Sequence, residues 1–281
     1  MKANRRFLNQ PKHFWANVRT IGELVGYTKE KKITIPSIPD IQTAFAAVDL
    51  GTGHLANKKN RPTAFGDFVI SYFEYRAHIL NNHVKLFLMN IEQAEQEFNS
   101  LKKRFSPHCP IPMNKQKGSK RTPAYFTSII NILIEANSRG LHCDYDPRRL
   151  TTITRNGAPL RTFARRIDGA FTSVINPIAV WEVKEYYHTT SFGSRVADGV
   201  YESLLDGMEI DELKRNENIE LKHYLMIDGY STWWEQGLPY LCRIIDLLHM
   251  GYADEVLFGR EVMSRMPVLV KEWVKEYGRR S

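Results

Sequence analysis

Three residues of this chain are of a kind and spacing suited to chemistry. They are Asp168, in the stretch Arg165-Arg166-Ile167-Asp168-Gly169, and Glu182 and Lys184, in Trp181-Glu182-Val183-Lys184. Side chains alternate faces along a strand, so Glu182 and Lys184 share one face while Trp181 and Val183 share the other. A charged pair on an otherwise apolar strand needs a reason, because burying charge is costly. The turn Ser173-Val174-Ile175-Asn176-Pro177 centres on residue 175. A hairpin with that centre sets Asp168 opposite Glu182, with Cβ atoms about 5 Å apart. Two facing carboxylates repel unless a proton or a cation lies between them. A hard divalent ion, Mg²⁺ or Mn²⁺, suits such oxygen ligands. The same spacing also fits a solvent-facing strand on which Glu182 and Lys184 form an ordinary surface pair.

The elements that must position these residues follow from periodicity and turn signals. Pro123 to Ser138 reads as a helix ended by Arg139-Gly140. Leu150–Thr154, Leu160–Phe171 and Ile178–Tyr187 read as strands, with a turn at residues 155–159. A helix over 194–205, a strand over 221–227, a helix over 240–250, a strand over 255–258 and a helix over 267–277 complete an α/β arrangement. The first half reads as mainly helical. A helix spans 11–25, and a short one capped by Asp40 runs to Leu50. A long one capped by Thr63 runs toward Arg104, with room for a break. Residues 105–122, rich in Pro and Lys, are the expected join between a region 1–110 and a region 120–281.

Asp168 followed by Glu182-Val183-Lys184 resembles the PD-(D/E)XK pattern of the nuclease superfamily that includes type II restriction endonucleases. The helix–three strands–helix–strand order from Pro123 to Ile227 resembles that fold, although Ile167 stands where the pattern has Pro. The resemblance implies a restriction-endonuclease-like mixed sheet flanked by helices, with Asp168 and Glu182 as Mg²⁺ ligands (Mn²⁺ substituting). Lys184 would orient and help deprotonate the attacking water, or stabilise charge on the phosphate. Many members add a Glu from the opening helix, where Glu135 is the only acid. The expected protein is a Mg²⁺-dependent endonuclease of double-stranded DNA, of the site-specific type II kind, working as a homodimer. A non-catalytic DNA-binding protein on a nuclease-like scaffold and a structure-specific repair or mobile-element nuclease are the alternatives.

Composition agrees with a polyanion partner. The 281 residues carry 39 Lys plus Arg against 31 Asp plus Glu. Residues 1–122 hold 20 of these bases and 9 of the acids. The candidate DNA contacts are Lys58, Lys59, Asn60 and Arg61, then Lys115, Lys117, Lys120 and Arg121, then Arg155 with Arg148 and Arg149. His188 shares strand parity with Glu182 and Lys184, whereas Glu185 belongs to the core-facing side. Asp228-Gly229-Tyr230, with Trp233 and Trp234, ends a strand and either lines a cleft or anchors the core.

The composition excludes a disordered chain, a collagen and a disulfide mini-protein. No apolar run approaches the roughly 20 residues of a membrane span, and the basic start leads into no apolar stretch of a signal peptide. Three cysteines without a C-x-x-C pair point to a reducing cytoplasm rather than to disulfides or structural zinc.

Overall fold

A computed structural model describes residues 1–114, 122–187 and 192–280. Helix α1 (Lys12–Leu24) is followed by a small hairpin, β1 (Thr28–Lys29) and β2 (Lys32–Ile33). Helix α2 (Ile38–Ala46) begins at Ser37, not at Asp40. Asp40 is its third residue and closes a capping box with Ser37, an arrangement that tolerates Pro39 in the first turn. Thr63 caps α3 (Ala64–Ile79) as the sequence predicts. This helix loosens into a π turn (Leu80–Val84) and the single turn α4 (Lys85–Phe87).

The chain then breaks. Leu88 turns extended, and Asn90 caps α5 (Ile91–Phe105) through a second capping box with Gln93. The buried carboxylate of Asp228 holds the break, accepting the Met89 N–H at 2.7 Å, while Met89 O accepts from Tyr230 N at 2.9 Å. The break carries the chain across the end of the sheet, so the π turn, through Leu80 and Val84, and α5 pack on opposite faces.

After α6 (Tyr125–Asn137) come β3 (Asp144–Tyr145), β4 (Thr152–Arg155), β5 (Ala158–Thr162), β6 (Gly169–Phe171) and β7 (Ala179–Glu185). Then follow α7 (Phe192–Glu217), β8 (Lys222–Asp228), a π turn at Ser231–Gln236, α8 (Leu238–His249), β9 (Glu255–Phe258) and α9 (Glu261–Arg280). The main sheet is mixed, in the order β3-β6-β7-β8-β9. β3, β6 and β7 pair antiparallel, while β7, β8 and β9 run parallel.

One expected strand is two. Leu160–Phe171 splits into β5 and β6, and β4–β5 form a separate hairpin turned by Asn156-Gly157, both at positive φ. Residues 163–168 leave the sheet between them. Helix α7 runs well past Leu205, because Ile210 and Leu213 bury against Ile153, Phe163 and Ile167 of that outlying segment. Helix α9 starts at Glu261 and passes through Pro267, whose lost hydrogen bond costs about 3 kcal/mol. Val262, Met266, Leu269, Val270 and Trp273, all buried, offset it.

The two sheet faces differ in kind. The Trp181 face is apolar and covered by α5, α6 and α9, with Trp181 stacked on Trp273 at 5.6 Å. The opposite face carries Val180, Glu182, Lys184, Leu225 and Ile227 under α7 and α8. Tyr27, Leu80, Val84 and Leu88 of the N-terminal half share this second core with β8, β9 and α8.

Gly169, next to Asp168, lies across from Trp181, and a Cβ there would stand 2.2 Å from the indole. Gly169→Ala is therefore expected to lower stability by about 1–3 kcal/mol, read as a reduced denaturant midpoint in equilibrium unfolding.

Candidate active site

The β6–β7 hairpin has the predicted register. Gly169 pairs with Trp181, Ala170 with Val180 and Phe171 with Ala179, so the turn centres on residue 175. One step outward, the backbone ladder gives way to side chains. Asp168 N donates to Glu182 Oε1 at 3.2 Å, and Val183 N donates to Asp168 Oδ2 at 2.8 Å. Asp168 and Glu182 are thus cross-strand neighbours, Glu182 held by the Asp168 N–H and Asp168 by the Val183 N–H.

Glu182 is fully buried and Lys184 nearly so, which removes the surface-pair reading. Lys184 Nζ lies 2.9 Å from Glu182 Oε2 and 2.6 Å from Glu202 Oε2. Arg165, on the segment that leaves the sheet, contacts Glu182 Oε1 at 3.0 Å, Asp206 Oδ2 at 2.6 Å and Glu202 Oε2 at 3.3 Å. Glu202 and Asp206 are one turn apart on α7 and so face the sheet together. The cluster comprises four carboxylates and two cations, and Asp206 Oδ1 is buried without a hydrogen-bond partner.

Acid excess in a buried site shows in the protonation equilibria. Burial, then the charge of Glu182, pushes Asp168 up to about 7, and the same two causes push Asp206 to about 7. Burial also opposes charge on Glu182, but Lys184 and Arg165 outweigh it and hold that carboxyl below its ordinary range. Lys184 is held protonated against burial by Glu182, Asp168 and Glu202. Asp168 and Asp206 therefore retain protons that Glu182 has lost.

The donor set suits a hard divalent cation. Two carboxylates face each other across the hairpin, an acidic oxygen nearby lacks a partner, and the cluster's formal charge, fully ionised, is balanced by one divalent ion. Among the described residues, no three His, Cys, Asp or Glu side chains already stand together at ligating distance. Ion uptake at Asp168 and Glu182 would require Lys184 and Arg165 to yield part of their hold on Glu182.

The remaining expected site residues scatter. Glu135 is not drawn into the cluster: both its oxygens accept from the His108 backbone N–H, at 3.2 and 3.0 Å, at the far end of α6. Glu185 is core-facing as expected, and it accepts from Thr127 N and Oγ1 at the start of α6, each at 2.9 Å. Arg155 pairs with Glu217 at 3.1 Å, part of a ladder of α7 acids that also takes Arg161 to Glu212. Arg148 pairs with Asp146 at 3.3 Å on the surface. Lys58, Lys59, Asn60 and Arg61 form an exposed loop held by Asn57 and by Gln42, which donates to Asn60. Lys115, Lys117, Lys120, Arg121 and His188 lie outside the described residues. Trp233 is a core anchor: it is buried, stacked on Tyr186 at 5.6 Å, and donates from Nε1 to Lys184 O at 3.3 Å.

Arg165, Glu202 and Asp206 were not singled out from the sequence. The signal that would have found the acids is the α7 series Glu202, Asp206, Glu209, Glu212, an acidic edge on an amphipathic helix following the Glu182–Lys184 strand.

The chain belongs to the family described as Domain of unknown function (DUF7687), whose model matches residues 89–273. A second family model, Domain of unknown function (DUF7690), matches residues 1–83. The two meet at the crossing near Met89, upstream of the join expected at 105–122, and α5 packs with α6 on the C-terminal side. No curated protein and no solved structure matches the chain. Among the described residues, no helix is long and apolar enough to cross a membrane.

The raised acids fix the direction of a pH effect. The folded state holds protons on Asp168 and Asp206 up to about pH 7 that the unfolded chain releases near pH 4, so stability falls as pH rises through that window. Asp206→Asn removes one such group. Thermal melts from pH 4 to 8 are expected to show a shallower decline for this variant, with a gain of a few degrees at pH 8 that shrinks toward pH 4. Parallel curves would contradict the assignment.

Proposed function

We infer that this chain is a Mg²⁺-dependent phosphodiesterase that cuts double-stranded DNA, of the site-specific type II restriction kind and acting as a homodimer. One observation carries the reading. Asp168 and Glu182 face each other across a hairpin with Lys184 on the same buried face, at the positions where the nuclease pattern requires them.

Asp168 and Glu182 would hold the ion. Mg²⁺ bound there would supply Lewis acidity at a phosphoryl oxygen and lower the pKa of a bound water. The chain's own residues do the rest. Lys184, held protonated by its acidic neighbours, is suited to offsetting negative charge on the phosphate and unsuited to accepting a proton. Arg165 keeps Glu182 ionised and oriented. Asp206 would hold Arg165, and Glu202 both Arg165 and Lys184, were Glu182 turned to the ion. Hydrolysis would break the bond between phosphorus and O3′, leaving 5′-phosphate and 3′-hydroxyl ends, as the resemblance implies.

A second reading, a DNA-binding protein without turnover, is favoured by the saturation of Glu182. Arg165, Lys184 and the Asp168 N–H occupy both of its oxygens.

Plasmid DNA incubated with Mg²⁺, or with EDTA, separates the two. Cleavage is expected with Mg²⁺ alone, and Asp168→Ala, Glu182→Ala and Lys184→Ala should each lower it by about 100-fold or more. Binding without cleavage over a range of sequences and salts would leave the second reading. Full activity of Asp168→Ala would refute the site.

A further inference from the structure

A long cleft separates α1 from α7. Its wider part, about 970 Å³, lies between Lys12, Ala16 and Arg19 on one side and Asp211, Lys214 and Arg215 on the other. A second hollow of about 400 Å³ continues it past the same Arg19, between Glu23 and Tyr27 on one wall and Val200, Tyr201 and Leu204 on the other. From Val200 to Arg215 the cleft follows α7 for about 22 Å. Its floor is α8 with the turn after it, at Leu247, Met250 and Tyr252. The walls come from the two matched modules, residues 1–83 and 89–273, and binding clefts favour such junctions.

Charge in the cleft is lopsided. Lys214, Arg215 and Lys222 pair with Glu220, Asp211 and Asp254, respectively. Lys2, Arg5, Lys12 and Arg19 are exposed and make no ion pair among the described residues; Arg19 donates to Met250 Sδ at 3.3 Å. The backbone that carries Lys2 and Arg5 is anchored, and Lys12 and Arg19 stand on α1. Met1 forms a reciprocal backbone pair with Val256 on β9, while Asn4 N donates to His249 Nε2 at 3.1 Å and Asn9 N to His249 O at 3.2 Å. The N-terminal segment is therefore tied along the cleft rim. Trp15 lines the same cleft, and its buried indole N–H has no partner. A row of exposed, unneutralised cations along a cleft suits the phosphates of a nucleic-acid backbone.

We propose that the α1–α7 cleft binds the phosphate backbone of one strand of duplex DNA, through Lys2, Arg5, Lys12 and Arg19. The proposal rests on the duplex-DNA reading above and locates a contact outside the Asp168 cluster. Helix α7 links the two: Asp206 sits in the cluster and Lys214, about two turns on, in the cleft wall.

The test uses the full chain carrying Lys184→Ala, in EDTA, with a fluorescent 30-base-pair duplex titrated at several salt concentrations. Adding Lys2→Gln, Arg5→Gln and Lys12→Gln is expected to reduce the slope of log affinity against log salt by about 2 to 3. A control triple in the exposed β1–β2 turn, Lys29→Gln, Lys31→Gln and Lys32→Gln, removes equal charge and should leave the slope within about 1 of the parent. Equal effects of the two triples, no effect of the first, or no duplex binding by the parent would each overturn the proposal. Binding with the expected slopes but no Mg²⁺-dependent cleavage by the wild type would refute the nuclease reading and leave the cleft standing.

Discussion

The structure depends on neutralising one buried acidic pair. Asp168 and Glu182 are set face to face by the hairpin register, on a sheet face closed off from water. Carboxylates so placed cannot both ionise without cations close by. Arg165 and Lys184 are those cations, and each arrives at a structural cost. Residues 163–168 must leave the sheet for Arg165 to reach Glu182. Lys184 must lie nearly buried beneath α7. Glu202 and Asp206 of α7 then hold the cations from the other side.

A second buried acid organises the chain at larger scale. Asp228 ends β8 and accepts N–H groups from Met89 and Gly229 and the hydroxyl of Tyr187. Burial is the main reason its carboxyl is pushed up to about 7. It pins the point where the N-terminal helices give way to α5, at the boundary of the two family models. Both buried acids thus sit where the chain changes direction over the sheet, one at the hairpin and one at the crossing.

Much of the site was legible in the sequence because strand parity and hairpin symmetry are local rules. Asp168 opposite Glu182, Lys184 beside it and Glu185 facing the core follow from counting residues about a turn. Glu135 shows the limit of that approach. A lone acid on the opening helix is attractive by type, but its direction depends on how α6 sits against the 105–114 segment, and there the His108 N–H claims it. Arg155 reads from the sequence as a free basic residue, whereas α7 brings Glu217 alongside it. Arg165, Glu202 and Asp206 were hidden because they are 37 and 41 positions apart, respectively, and nothing periodic connects them.

By itself the sequence determined the α/β class, most helices and strands, the register of the central hairpin and the concentration of positive charge in the first 122 residues. These depend on side-chain alternation, turn chemistry and composition, which act over a few residues or add over many. The tertiary structure alone decided that Glu182 and Lys184 are buried rather than exposed, that Leu160–Phe171 splits, and that Lys2, Arg5, Lys12 and Arg19 gather beside α7. Each of these depends on contacts between segments remote in the chain, where packing and charge pairing outweigh local preference.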